Sequence, residues 1–201
     1  RGTTVCDIGI EVASARDTLE RAAHLGNSSF TQPTEEDELD IPAVRGLSGS
    51  VIHFVGNENG MDRLWETEFS QTADHKGFGL RKIDHLAQTM SYDDMLSWSL
   101  FYTSLFEMKK SPMVDVFDPD GLVRSQVVET ADGSLRVTLN GADTHRTLAG
   151  SFLAESFGAS VQHMVLEQLK SIKKETLYMT SIGYYGDLKE DKKGRKILKV
   201  L

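Results

Sequence analysis

Apolar and polar residues follow one another in an order that restarts along the chain. Thr3 to Val12 mixes β-branched and polar residues as a half-buried strand does. Ser14 stands three residues before Asp17, a capping-box-like pair, and Leu19, Ala22, Ala23 and Leu25 recur at helical spacing until Gly26, a natural C-terminal stop. After the Gln32-Pro33 turn, Glu38 to Ile41 and Ser50 to Val55 read as strands. Asn57 to Gly60 is a turn, and the polar stretch Asp74 to Gly79 is the natural place for a boundary.

The order then begins again. Leu80 to Met90 predicts a strand, and Ser91 with Asp94 caps a helix. Its stripe is Met95, Trp98, Tyr102 and Leu105, widened by Leu96, Phe101 and Phe106. Strands are expected at Met113 to Phe117, Leu122 to Thr130 and Ser134 to Asn140, the last two joined as a hairpin by Ala131-Asp132-Gly133. A helix from Leu148 to Phe157, with Leu148, Phe152, Leu153 and Phe157 on one face, precedes a further strand from Val161 to Leu166. The pattern predicts an α+β fold of repeated β-α-β-β-β modules: residues 1–72 a partial first module, 80–140 a complete one, and 147–201 an incomplete final one with a Lys-rich end.

Composition narrows the classes. With 201 residues, 39% hydrophobic and 26% charged, the chain can bury a core, and no apolar run reaches the roughly 18 residues of a membrane span. A single cysteine, Cys6, excludes an internal disulfide framework and suits a reducing, cytoplasmic setting. The net charge of −8 disfavours nucleic acid as a partner. That charge is uneven: Gln168 to Leu201 holds nine basic and four acidic residues, a local +5, against −13 for the rest. This change, and the opening at Arg1 within a few residues of a strand, lead to the expectation of a piece of a longer protein. Glu190 and Asp191 interrupt the basic stretch from Lys189 to Lys199 and no aromatic residue interleaves it, so a solvated segment is expected there.

Among six histidines, His85 and His163 each lie on the opening strand of a unit, in Ile83-Asp84-His85-Leu86 and Val161-Gln162-His163-Met164. Equivalent strands of repeated units can point both imidazoles into one cavity, and two imidazoles with a carboxylate make a non-haem iron site. A strand histidine taken alone is more often a hydrogen-bonded core or surface residue, so the residues leave both readings open. His24, His53, His75 and His145 have no such pairing and read as structural or solvated. Arg124, Ser125 and Gln126 interrupt the core alternation of their strand, and Asn140 ends the next. Such a cluster is either a pocket wall or the wet face of a one-sided sheet. No Gly-rich phosphate loop and no G-x-S-x-G elbow occurs, and nothing marks Cys6 as a nucleophile.

Three strings carry a resemblance: RKIDHLAQTMSYDDMLSWSLFYTSLF, MVDVFDPDGLVRSQVVETADGSLRVTLNGA and RTLAGSFLAESFGASVQH. They resemble the C-terminal, 4-hydroxyphenylpyruvate dioxygenase-like part of two-domain bacterial 3-dehydroshikimate dehydratases, and ELDIPAVRGLSGSVIHFV resembles the end of that family's preceding module. More distantly, the strings are similar to true 4-hydroxyphenylpyruvate dioxygenases of the vicinal-oxygen-chelate superfamily. The resemblance implies mixed curved sheets with helices on one face, His85 and His163 as metal ligands, and Ser125 and Asn140 as substrate-holding residues. It implies a divalent metal, Fe(II) first with Mg, Mn or Co as others, and a small organic acid, either a 2-oxo acid or an aromatic acid. No catalytic residue is assigned.

The family's third ligand, a glutamate in a string resembling FFFEI, has no counterpart in this sequence, and after His163 only Gly183-Tyr184-Tyr185-Gly186-Asp187-Leu188 is similar, to NYYDDL. Independent activity is therefore not expected of this chain. The resemblance places it in a metalloenzyme of quinate and shikimate catabolism leading to protocatechuate, beside an upstream barrel domain or in a homo-oligomer. The alternatives are a homogentisate-forming dioxygenase and a non-catalytic assembly module.

Overall fold

Ser14 and Ser91 each open a helix in the computed structural model, which describes residues 4–36, 38–58, 60–68, 80–118, 120–170, 173–180, 188–190 and 196–198. The chain divides into two compact units, Cys6–Lys76 and Gly77–Leu201 with Arg1–Val5.

In the unit Cys6–Lys76, β1 (Asp7–Glu11), α1 (Ala15–His24), β2 (Ser29–Phe30), β3 (Ala43–Arg45), β4 (Val51–Val55) and a short α2 (Leu64–Glu68) follow in order. The sheet runs β1-β4-β3-β2, with β1 parallel to β4 and the remaining pairs antiparallel. Ser14 Oγ accepts the Asp17 N–H, as its spacing predicts. Glu58 adds to that cap from a distant turn, accepting the Ala15 and Arg16 N–H groups at 2.6 and 3.3 Å. The strand expected at Glu38 to Ile41 does not form. Pro42 has no N–H to give a ladder, and the pairing instead begins at Ala43. Ile10, Ala22, Val44, Ile52 and Phe54 make this unit's core.

The second unit holds β5 (Leu80–Ser91), α3 (Tyr92–Leu105), β6 (Lys109–Lys110), β7 (Val114–Asp118), β8 (Gly121–Glu129), β9 (Arg136–Ala142), α4 (Leu148–Glu155), β10 (Ser160–Lys170) and β11 (Lys173–Thr180). A further small pair joins β12 (Leu188–Glu190) to β13 (Lys196–Leu198). The seven-stranded sheet is ordered β11-β10-β5-β9-β8-β6, with β7 also on β8; only β5 and β9 run parallel. This is the mixed-sheet α+β architecture of the vicinal-oxygen-chelate type.

One face of the sheet receives α3. Gln126 Oε1 accepts the Ser99 hydroxyl at 3.0 Å and Gln88 Oε1 accepts the Tyr102 hydroxyl at 3.1 Å, so buried strand amides and helix hydroxyls satisfy one another. Gln126 also donates to the Ser111 carbonyl. Of the polar cluster on β8, Gln126 therefore belongs to the helix-facing core. The seam of α3 is Met95, Ser99, Tyr102 and Leu105, with Ser99 in place of Trp98, because Ser99 finds Gln126 below it; Leu96 is 52% exposed. Gly141 lets the start of α3 approach β9, since a Cβ there would lie 2.9 Å from Met95 Sδ. The face expected for α4 also changes: Phe152 is buried, but Leu148 and Phe157 are 73% and 75% exposed. β10 runs past Leu166 and turns back into β11, and the Gly183–Asp187 part of the tyrosine-rich string lies outside the described residues.

Candidate metal centre

Alternation along β5, β8, β9 and β10 sends a second set of side chains to the face away from α3. Ser125 lies directly opposite Asn140 across β8 and β9, and Asn140 opposite Thr89 across β9 and β5. Further along β5, His85 faces Val165 and Ala87 faces His163, so the two histidines are diagonal neighbours on adjacent antiparallel strands. Their rings meet edge to face, with centroids 6.0 Å apart and planes at 77°. The structure thus brings His85 and His163 together, and sets Ser125 and Asn140 on the same face of the same sheet, across Thr89 and Ala87 from them.

Two irregularities in the β5–β10 ladder make this possible. Val161 pairs with Gln88 and His163 with Ala87, so Gln162 is an extra residue. In unbroken alternation, with Gln162 paired in the ladder, His163 would share the face of Val161, a core position that is 3% exposed. The second extra residue is Asp84, between the pairs His85–Val165 and Ile83–Leu166. Bulges re-aim side chains in this way. At Asp84 the result is a contact that strict alternation forbids: the carboxylate Oδ2 lies 2.8 Å from Nδ1 of the adjacent His85. An ionised carboxylate only accepts, so the His85 Nδ1–H donates.

The hydrogen bond from His85, aided by Arg136 and opposed by partial burial, holds the Asp84 carboxyl below its usual range. Arg136 Nη1 lies 3.4 Å from the same Oδ2, while Arg136 Nε donates to Glu129 at 2.8 Å. Burial and the neighbouring His85 push His163 down to about 4, so its imidazole is neutral near pH 7 and keeps a lone pair for a ligand. Thr89 Oγ1 donates to Gln162 Oε1 at 3.2 Å on the same side of the ladder. Composition and spacing single out neither Asp84 nor Gln162, since nothing in the sequence announces a bulge.

A metal–imidazole bond of roughly 2.1 Å places a ligating ring's centroid roughly 3.2 Å from the ion, so centroids 6.0 Å apart lie within the span of two rings on one ion. The pair fits two ligand positions of a divalent metal. Among the described residues, no group of three or more His, Cys, Asp or Glu side chains is placed to hold one. Glu167 shares the face of His163 but stands four residues along β10, roughly 13 Å away at strand rise, and pairs with Lys82 at 3.7 Å. The other histidines are engaged elsewhere or apart: His24 contacts the Glu20 carbonyl and His53 contacts Asp7, His145 is exposed, and His75 lies outside the described residues.

Comparison with known proteins gives this geometry its context. A family model described as hydroxyphenylpyruvate dioxygenase, HPPD, N-terminal, matches residues 1–70. The 3-dehydroshikimate dehydratase of Pseudomonas aeruginosa is 33% identical over 167 residues, 83% of this chain, and that of Pseudomonas putida 32% over 168 residues. Over most of its length the chain is similar to 4-hydroxyphenylpyruvate dioxygenase-like proteins. A 4-hydroxyphenylpyruvate dioxygenase from Legionella pneumophila is 28% identical over 167 residues, 82% of this chain and 47% of that protein.

Among solved structures, a xylose isomerase-like TIM barrel/4-hydroxyphenylpyruvate dioxygenase fusion protein superposes with a TM-score of 0.58 at 27% identity, covering 80% of this chain and 25% of that one. A triple mutant of 4-hydroxymandelate synthase from Streptomyces coelicolor superposes at 0.63 and 19% identity over 81% of this chain and 48% of that one, a likeness of fold. The chain spans 26% of the length of each dehydratase. Among the described residues no helix is long and apolar enough to cross a membrane.

Proposed function

We propose that this dioxygenase-like chain binds a divalent metal through His85 and His163, and that Ser125 and Asn140 orient a small organic acid beside it. The observation that carries the reading is the meeting of the two rings from strands 78 positions apart in sequence, on the face away from α3. By the chemistry of the dioxygenase relatives the ion is Fe(II) and the acid a 2-oxo or aromatic acid. When bound, such an ion supplies Lewis acidity toward the oxygens of the acid. The chain's own contribution is a neutral imidazole at His163, an oriented one at His85, and a polar row whose hydroxyl and amide hydrogen-bond the acid's oxygens.

The chain is read as part of a larger cytoplasmic enzyme of the 3-dehydroshikimate dehydratase type, in aromatic catabolism leading to protocatechuate, with modules at residues 1–72, 80–140 and 147–201 and a barrel domain as companion. Isothermal titration of the full chain with Co(II) tests the site. Wild type should give a saturable heat that His85→Ala weakens at least tenfold; identical heats for the two proteins remove the reading.

One observation favours an assembly role alongside it. β7 pairs with β8 near the sheet's edge and exposes Val114, Val116 and Phe117, the last at 86%. Light scattering that returns a monodisperse monomer at high concentration counts against that role.

A further inference from the structure

We propose that Asp84 is a positioning residue that fixes His85 in the Nδ1–H tautomer, so that Nε2 is the atom offered to a metal, and that Arg136 holds Asp84 in that role. The proposal rests on the reading of His85 and His163 as ligands. It comes from a chain of contacts that the sequence order alone would not permit. Neighbouring residues on a regular strand point to opposite faces, yet the Asp84 carboxylate reaches the ring of His85 at 2.8 Å because Asp84 is the extra residue of a bulge.

The same oxygen, Oδ2, is approached by Arg136 Nη1 at 3.4 Å, and Arg136 is fixed in turn by its 2.8 Å bond to Glu129. Glu129 and Arg136 are directly opposed across β8 and β9, so their ion pair is set by the register of that hairpin. The order is Glu129 to Arg136 to Asp84 to His85, running from the hairpin end across β9 to β5.

A neutral imidazole carries one N–H, and which nitrogen bears it decides which nitrogen can ligate. A carboxylate on Nδ1 retains the proton there and leaves the Nε2 lone pair free. It also restrains the ring's rotation, and outer partners of this kind are worth roughly 10- to 100-fold in metal affinity. His163 has no carboxylate as its adjacent residue, since Gln162 occupies the corresponding bulge, so the two histidines are prepared differently. Asp84 is 31% exposed and His85 19% exposed, which leaves the pair shielded enough for the contact to matter and open enough to replace.

The test uses the full, metal-free chain at pH 8 and long-range 15N–1H correlation spectra of its histidines, with Co(II) titration in parallel. Wild-type His85 should show a protonated Nδ1 and a bare Nε2. Asp84→Ala should move His85 toward the Nε2–H tautomer and weaken Co(II) roughly 10- to 100-fold, with Asp84→Asn, which preserves the shape, and Arg136→Gln intermediate. An unchanged tautomer in Asp84→Asn and Asp84→Ala overturns the proposal, whatever the metal does. If the tautomer shifts as expected but wild type takes up no Co(II), the control of His85 by Asp84 stands and the metal reading falls.

Discussion

Along β9, Leu139 is fully buried toward α3 while Asn140, the next residue, is half-buried on the opposite face. Their cross-strand partners on β8 follow suit: Gln126 is clamped by Ser99 and Ser111, and Ser125 faces Asn140. The two faces thus use polar groups differently. Beneath α3 each amide oxygen accepts a helix hydroxyl, and Gln126 also donates to a carbonyl, which ties the helix to the sheet. On the other face a row of Ser125, Asn140 and Thr89 runs toward a pair of imidazoles, and bulges on β5 and β10 aim those rings. A polar residue in a strand says little about function until its face is known.

The contrast can be broken most forcefully from the helix side. Tyr102→Ala removes a buried ring and strands the Gln88 amide, and should cost about 3–5 kcal/mol in urea denaturation. A loss below about 1 kcal/mol would mean that the Tyr102–Gln88 contact does not anchor α3.

Acid should act from the other face. His163 is lowered from an ordinary value of 6.5 to about 4 by burial and then by His85. Between those values the unfolded chain binds a proton that the folded chain refuses. Stability is therefore complete above about pH 6.5 and falls as pH drops toward 4, by about 3 kcal/mol from this one group. His163→Gln should flatten that part of the pH profile when both proteins are unfolded in urea at pH 7 and pH 5. Parallel profiles would show that His163 is not the desolvated group.

The smallest effect on stability belongs to the polar row. Ser125→Ala and Asn140→Ala should each shift the unfolding midpoint by no more than about 0.5 kcal/mol while weakening the uptake of a 2-oxo acid by the Co(II)-loaded chain, read by titration calorimetry. A large loss of stability instead would assign Ser125 and Asn140 to the fold and would erase the distinction between the faces.

Much of the scaffold is legible in the sequence because local chemistry decides it. Ser14, Ser91 and the Leu148–Phe157 periodicity place three helices, with Ser91 Oγ accepting the Asp94 N–H at 3.2 Å. The Ala131-Asp132-Gly133 turn joins β8 to β9. Tertiary partners decide the rest. Ser99 enters the core only because Gln126 waits for it, and Leu148 and Phe157 have helical spacing but are exposed. The strand expected at Glu38 to Ile41 gives way to one that begins after Pro42. At the candidate site, position on an opening strand and family resemblance both pointed to His85 and His163. The bulges at Asp84 and Gln162, which make the rings converge, leave no mark in composition or spacing.

Whether the His85 and His163 rings share one ion, as we propose, is read from anomalous diffraction by crystals of the full chain grown with Co(II). A single strong peak is expected within bonding distance of both the His85 and the His163 imidazoles. A peak bound to neither ring, or no ordered peak at saturating Co(II), would contradict it.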